Sequence, residues 1–293
     1  MSAPELQQRS ARHAIALSAA RSTWALSLAV GGIMLAEALV AFGNNISGSI
    51  ACGLVLDGLV VGCVVVARGP STGKHLPPLA GALLALSLIP MQRLASLALP
   101  AHEISRSAWP AVVGVVILIG AWRITPLAGL DSLRSRLRAP VRGDALLAVC
   151  AIPVGALWFA TIHPADARIP HGALAIVGAA LLIGVAVLAE ELVFRGVLLD
   201  ALTRARVTGG RSRVPAESAV ANVVASVVYA AASLGWPMPY PILAFLAALV
   251  LGRTALRRRS VTGVAIAHFV AWSVAVFLAP ALFGASAAGF LIP

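Results

Sequence analysis

The sequence predicts an all-α protein, a polytopic integral membrane helical bundle with about nine transmembrane helices. Of its 293 residues, 60% are hydrophobic and only 11% are charged, whereas a soluble domain is about half apolar and a quarter charged. The mean hydropathy is +0.94. The chain therefore has too few charges to cover a soluble surface, and it is too apolar to be disordered.

Besides its composition and mean hydropathy, the chain contains apolar runs of membrane-spanning length, which also predict a membrane helical bundle. A hydrocarbon core of about 30 Å takes about 20 helical residues. The sixth run is too long for a plain span, so its last third is expected to leave the membrane. The third run contains Pro77, Pro78 and Pro90 and is the least regular. The first run, Thr23 to Phe42, exceeds the apolar core of a signal peptide, which is about 7–15 residues, and predicts an uncleaved span. The nine runs are 23–42, 46–67, 76–92, 106–122, 144–162, 172–201, 217–234, 239–256 and 261–279.

The positive charges predict the orientation of these spans. If the spans alternate, 18 of the 22 cations lie on one side, Arg93, Arg106 and Arg168 lie on the other, and Arg195 lies within the sixth span. Because cytoplasmic connections carry an excess of Lys and Arg, we expect a cytoplasmic N-terminus and a C-terminus outside. The net charge of +11 then needs no nucleic-acid partner. The preference for Arg over Lys, with many Ala and Val residues, indicates a GC-rich bacterial genome and hence a bacterial plasma membrane.

The spans divide the chain into three parts. Residues 1–143 hold about four N-terminal spans, residues 144–280 hold the later spans, and residues 281–293 form a short uncharged tail. In the stretch 127–138, leucines recur at helical spacing with arginines between them. This pattern predicts an interfacial amphipathic helix on the cytoplasmic surface.

Charged or titratable residues inside spans are functional candidates, because burying a charge in a membrane is costly. Glu37 and Asp57 are each isolated in sequence, and a carboxyl that is protonated or hydrogen-bonded within the bundle is the favoured interpretation for both. The three cysteines lie in apolar stretches without metal-binding spacing and are interpreted as buried hydrophobic residues: Cys52, Cys63 and Cys150. His163 and His171 share one connection, where solvated loop residues are favoured over a weak metal site.

Two adjacent carboxylates interrupt the sixth span, where residues 189–196 read AEELVFRG. On a helix, Glu191 and Arg195 are four residues apart and share a face, so they can pair. Glu190 points about 100° away from them and is left free to act as a general base. A salt bridge near the end of the helix is the structural alternative, but it explains Glu191 and Arg195 and not Glu190.

The EExxFRG string on a late membrane helix resembles the CAAX prenyl endopeptidase and bacteriocin-processing family of intramembrane proteases, also called the CPBP or Abi family. The resemblance covers roughly residues 145–280. The first family motif, EExxxR, is matched in full by Glu190, Glu191 and Arg195. The resemblance therefore implies that residues 144–280 form a CAAX-protease-like transmembrane core.

The other two family motifs are altered in this chain. The second is an aromatic residue followed four residues later by His, and here Tyr229 matches the aromatic while Ser233 replaces the histidine. The third is HxxxN, in which His268 matches and Trp272 replaces the asparagine. Tyr229, Ser233 and Trp272 are therefore degenerate site positions, and without the resemblance His268 would be interpreted as a packing residue.

The resemblance implies a mechanism. Glu190 would activate a water molecule to attack a peptide carbonyl, the second-motif histidine would position that water or the substrate, and the third-motif pair would stabilise the oxyanion. This chain retains the base and one oxyanion donor, His268. We expect no cofactor, because a divalent metal is compatible with the motif but a carboxylate-activated water suffices.

Two functions remain open, and a third is disfavoured. The first is an intramembrane endopeptidase that acts on a peptide or membrane-protein segment in the lipid bilayer. The second is a catalytically degenerate member of the family that serves as a membrane binding or scaffold protein. A transporter is disfavoured, because no pair of Gly/Pro-broken helices recurs in two halves of the chain. For either open function, the i,i+4 spacing predicts that both altered motifs line one cavity with Glu190.

Overall fold

The computed structural model describes residues 3–68, 76–98, 109–130, 133–162, 172–207, 214–234, 236 and 238–283. Its regular elements within these ranges are all helical, which confirms the predicted all-α class. The helices are α1 Ala3–Phe42, α2 Asn45–Ala67, α3 Pro78–Leu86, α4 Leu88–Ala98, α5 Trp109–Leu127, α6 Leu133–Arg136, α7 Arg142–Ile162, α8 Ala173–Glu191, the π-helical segment π1 Leu192–Leu198, α9 Leu199–Val207, α10 Val214–Ala231, α11 Tyr240–Arg258, α12 Thr262–Ser273, the π-helical segment π2 Val274–Leu278 and α13 Ala279–Phe283.

The protein is an integral membrane protein by the length and composition of its helices. Within the described ranges, seven helical stretches are long and apolar enough to cross a membrane. Two shorter apolar helices, Ala111–Leu127 and Ser218–Ala231, lie at the predicted fourth and seventh positions. Together these stretches occupy all nine predicted positions.

The third predicted span is broken where its composition is least regular. α3 ends at Leu86 and α4 begins at Leu88, with Ser87 between them. Pro90 lacks the N–H that would bond the carbonyl of Leu86, and its ring clashes with that carbonyl. The proline therefore accounts for the break one turn before it.

The predicted amphipathic helix near 127–138 is much shorter in the structure. α5 continues to Leu127 and ends where Gly129 adopts a positive φ of 64°. The Leu130 N–H bonds the Thr125 carbonyl at 3.1 Å, which is the Schellman pattern of a helix C-terminus. The only described helix in the remainder of this stretch is the single turn Leu133–Arg136.

α8, π1 and α9 form one continuous helical rod from Ala173 to Val207, which is exposed or half-buried over most of α8 and becomes buried from the end of α8 onward. All seven residues of π1 are buried. The rod contacts α3, α5, α10 and α12, and α12 packs most extensively against α7. The first and third predicted motifs, which lie on the rod and on α12, are thereby brought side by side.

Glu37 is a buried carboxylate in α1 that pairs with an arginine from another helix. The Nε and Nη2 atoms of Arg93, in α4, donate to Glu37 Oε2 at 3.0 and 2.6 Å. The sequence placed Arg93 in an outside connection, but it lies on helix α4.

Asp57 differs from Glu37, because it lies on the exposed face of α2 and has no partner among the described residues. Cys150 also departs from the prediction, since it is exposed, whereas Cys52 and Cys63 are buried.

The orientation of the bundle remains a prediction from the arginine distribution. Reporter fusions placed after Pro77 and after Arg213 should both report the cytoplasm, because both positions lie in arginine-bearing connections on the same side. A fusion after His102 provides the matched control and should report the opposite side. A non-cytoplasmic signal at Pro77 or Arg213 would overturn the orientation.

Candidate active site

The buried acid–base pair of the first motif forms as its spacing predicts. Arg195 Nη1 donates to Glu191 Oε1 at 3.0 Å, and the two side chains are 3% and 0% exposed. Both side chains are thus almost completely removed from solvent. The pair is therefore held by mutual attraction and by the few polar groups around it.

His268 joins this pair from α12, 77 residues further along the chain. Its Nδ1 atom lies 2.7 Å from the same oxygen, Glu191 Oε1, which thus receives both Arg195 and His268. The other carboxylate oxygen, Oε2, is buried and has no hydrogen-bond partner among the described residues. The sequence predicted the pairing with Arg195 but not that with His268.

Trp272 fixes the protonation of His268. The indole Nε1 of Trp272 lies 2.9 Å from His268 Nε2. An indole nitrogen can only donate, so Nε2 must accept and the ring proton must reside on Nδ1, from which it is donated to Glu191. In this arrangement neither ring nitrogen is left to stabilise an oxyanion. The sequence predicted that His268 would donate to the oxyanion. Instead, its Nε2 atom accepts a hydrogen bond from Trp272, which replaces the family asparagine.

Tyr229, the aromatic of the second motif, packs against this group from α10. The Arg195 guanidinium carbon lies 4.4 Å from the centre of the Tyr229 ring. The Phe194 and His268 rings lie 5.0 and 6.5 Å from it, centre to centre. The cation–π contact gives the buried Arg195 side chain a second favourable neighbour.

Ser233, at the position of the second-motif histidine, is buried in the turn that follows α10, and its hydroxyl is satisfied by that helix. Its hydroxyl donates to the Tyr229 carbonyl at 3.1 Å, a common way for serine to return to the preceding turn. It makes no described hydrogen bond to Glu191, Glu190 or His268. The hydroxyl therefore does not replace the missing imidazole.

Several aromatic side chains surround His268 and Trp272 of the third motif, and the sequence did not single them out. Trp158 of α7 lies 5.6 Å from the His268 ring and 5.8 Å from that of Trp272, centre to centre. Trp236 lies 6.4 Å from Trp272, and Tyr240 contacts both Trp158 and Trp236. These residues belong to no family motif and are far apart in sequence, so only tertiary packing reveals them.

Glu190 is set apart from the paired acid although it is adjacent in sequence. Its side chain is half-buried, and no hydrogen bond or ion pair holds it within the described part of the chain. Because it precedes Glu191 by one residue on α8, its side chain points about 100° away from that of Glu191 around the helix. One acid is thus locked and the other is free, as the sequence predicts.

The cavity beside His268 in the described part of the chain does not join the predicted site positions. A cavity of about 290 Å³ reaches His268 and Trp158 between apolar residues of α7 and α11. Glu190, Tyr229, Ser233 and Trp272 do not line it. The aromatic rings around Trp272 fill the space beside His268 that an asparagine would leave open.

A metal finds no ready set of ligands around His268. Among the described residues, no group of three or more His, Cys, Asp or Glu side chains is placed to hold an ion. The Nε2 lone pair of His268 is taken by Trp272. His163 and His171 lie outside the described residues.

Residues 170–274 match the family model Rce1-like, described as type II CAAX prenyl endopeptidase Rce1-like. The match covers the rod, α10, α11 and all of α12, and it confirms the resemblance predicted from the motifs. No curated protein and no solved structure matches the chain significantly.

Proposed function

We propose that this membrane protein of the CAAX-protease kind is an intramembrane endopeptidase in which Glu190 activates water and Trp272 restrains the site. The family match supports a protease of this kind. The observation that carries the assignment to Glu190 is the contrast between the two adjacent acids. Glu191 is fully buried and bonded to Arg195 and His268, whereas Glu190 is half-buried and unpaired among the described residues.

A general base must reach a water molecule and must have a lone pair free to take its proton. Glu190 meets both requirements. Glu191 fails the first requirement, because its side chain is 0% exposed, and its Oε1 atom already accepts two hydrogen bonds. Glu191 therefore acts as the anchor that connects the rod to α12.

Peptide hydrolysis at Glu190 requires two proton transfers. The carboxylate takes a proton from water as the water oxygen bonds to the peptide carbonyl carbon. The C–N bond then breaks, and the proton on Glu190 passes to the departing amine. The substrate is a peptide or a membrane-protein segment in the bilayer, because the site lies among membrane-spanning helices.

A specific observation favours the second function, a non-catalytic binding or scaffold protein. Trp272 occupies His268 Nε2, and the Ser233 hydroxyl bonds α10, so neither altered motif offers a donor to an oxyanion. Removing one such donor costs about 10²–10³ in turnover in other hydrolases. A chain with this arrangement is expected to be a slow protease at best.

The deciding experiment is a proteolysis assay on purified protein with a membrane-soluble fluorogenic peptide. We expect weak cleavage by the wild type and none by Glu190→Gln, because glutamine cannot accept the proton of water. Asp57→Asn is the matched control, since this exposed acid of α2 lies outside the rod and should leave cleavage unchanged. Equal rates for wild type and Glu190→Gln would exclude Glu190 as the base, and the binding function would then be favoured.

A further inference from the structure

Exposed arginines gather where α11 ends and α7 and α12 begin. Five of them form what we call the arginine patch: Arg134, Arg138, Arg142, Arg257 and Arg259. Each side chain is exposed, and none has a hydrogen bond or ion pair within the described part of the chain. From the sequence, these cations indicated the orientation of the protein and, for Arg134 and Arg138, an interfacial helix.

Backbone contacts hold the two arginine-bearing segments together. The Val261 N–H donates to the Arg136 carbonyl at 2.9 Å, and the Ser260 hydroxyl donates to the same carbonyl at 3.2 Å. Arg258 forms an ion pair with Asp144 in the first turn of α7. The segment 134–144 is therefore fixed against the α11–α12 turn, and the exposed arginines of both segments lie at the same end of the bundle.

The acids near this surface are already neutralised by other arginines. Asp144 binds Arg258 and also accepts from the Val141 N–H at 2.8 Å. Asp200 binds Arg136 at 2.7 Å and Arg204 at 3.1 Å. The exposed cations thus repel one another without a described counter-charge, and an external anion would relieve that repulsion.

Apolar side chains in the same segment place the patch at the membrane surface. Leu137 and Val141 are 42% and 60% exposed, and they alternate with the arginines of the patch. Leu146, one turn into α7, is 66% exposed on a membrane-spanning helix. Such a segment lies with its apolar side chains in the hydrocarbon and its guanidinium groups at the depth of the lipid phosphates.

We propose that the arginine patch is a binding site for the headgroups of anionic phospholipids. One planar guanidinium group can bind two phosphate oxygens at once. Several such groups on one surface hold a phosphodiester more firmly than an isolated charge does. The site is separate from Glu190 and His268 and does not depend on peptidase activity.

The test uses the full-length protein in bilayers. It compares the affinity of the protein for spin-labelled phosphatidylglycerol with its affinity for spin-labelled phosphatidylcholine that carries the same acyl chains. We expect the wild type to prefer phosphatidylglycerol and to lose that preference at high salt, because the interaction is electrostatic. The triple variant Arg138→Gln, Arg142→Gln, Arg257→Gln should lose most of it, at roughly fivefold in relative affinity per arginine. The matched control is Arg21→Gln, Arg68→Gln, Arg123→Gln, which removes three exposed arginines elsewhere and should keep the preference.

The proposal is overturned if both triple variants lose the preference equally, since the effect would then come from net charge. It is also overturned if the wild type shows no preference at low salt, a result that does not depend on how the variants fold. Elution of each variant as a single symmetric peak confirms that a lost preference is not lost structure.

Discussion

Glu191→Gln is expected to remove most of the folded protein. The amide oxygen can still accept from His268 and Arg195, but the neutral amide cannot balance the charge of Arg195, whose side chain is 3% exposed. Removing one partner of a buried ion pair costs about 3–5 kcal/mol, because the other charge stays buried and unpaired. The measurement is the yield of monodisperse protein after detergent extraction, together with its thermal melting temperature.

The adjacent acid is the matched control. Glu190→Gln changes the same chemical group one residue away, but no described partner is left unpaired, so yield and melting should match the wild type. Glu191→Gln with Arg195→Gln should recover part of the loss, since both charges are then removed together. Normal yield for Glu191→Gln with misfolding of Glu190→Gln would show that the anchor and the free acid are reversed.

The sequence predicted the parts of this site that depend on local spacing. Residues four apart on a helix share a face whatever packs around them, so Glu191 with Arg195 followed from the sequence alone. The same spacing brings Trp272 to His268 within α12. The nine apolar positions were likewise predictable, because the bilayer sets the length of each run.

The sequence could not predict contacts that depend on which helices become neighbours. The bond between His268 and Glu191 joins residues 77 positions apart, and the pairing of Glu37 with Arg93 joins α1 to α4. The aromatic rings of Trp158 and Trp236 also meet Trp272 only through packing. Two helix boundaries were missed for a different reason. Gly129 ends α5 and Pro90 accounts for the break between α3 and α4, and both act through backbone geometry, which the apolar pattern does not show.

The hydrogen bond between Trp272 and His268 pairs the two residues of the third motif with each other. An asparagine at position 272 would be smaller and could donate from its amide to a substrate oxygen, whereas the indole donates its single N–H to His268. The surrounding tryptophans add edge-on contacts of the kind worth about 0.5–1.5 kcal/mol per pair beyond their burial. The present arrangement thus favours a stable, closed site over a reactive one.

Ser233→His together with Trp272→Asn is expected to raise peptide cleavage by roughly 10²-fold over the wild type, the size of one restored oxyanion donor. The asparagine would release His268 Nε2 and open space beside it, and the new imidazole would supply the group that the Ser233 hydroxyl cannot. Either change alone should have little effect, because base, positioning group and oxyanion donor act as a unit. The measurement is cleavage of the fluorogenic peptide by the wild type, both single variants and the double variant.

Two control variants separate the causes of any gain. Trp272→Phe with Ser233→His removes the indole N–H but keeps an aromatic ring in place, so His268 is released without space for a substrate, and we expect no gain. Adding Glu190→Gln to the active double variant should abolish its cleavage, because the restored donors need the base. If the double variant folds normally and stays inert, the site beside Glu190 is not a protease site, and the binding function is favoured. If the wild type already cleaves efficiently through Glu190, the Trp272–His268 bond must open during turnover, and Trp272→Phe alone should then change the rate.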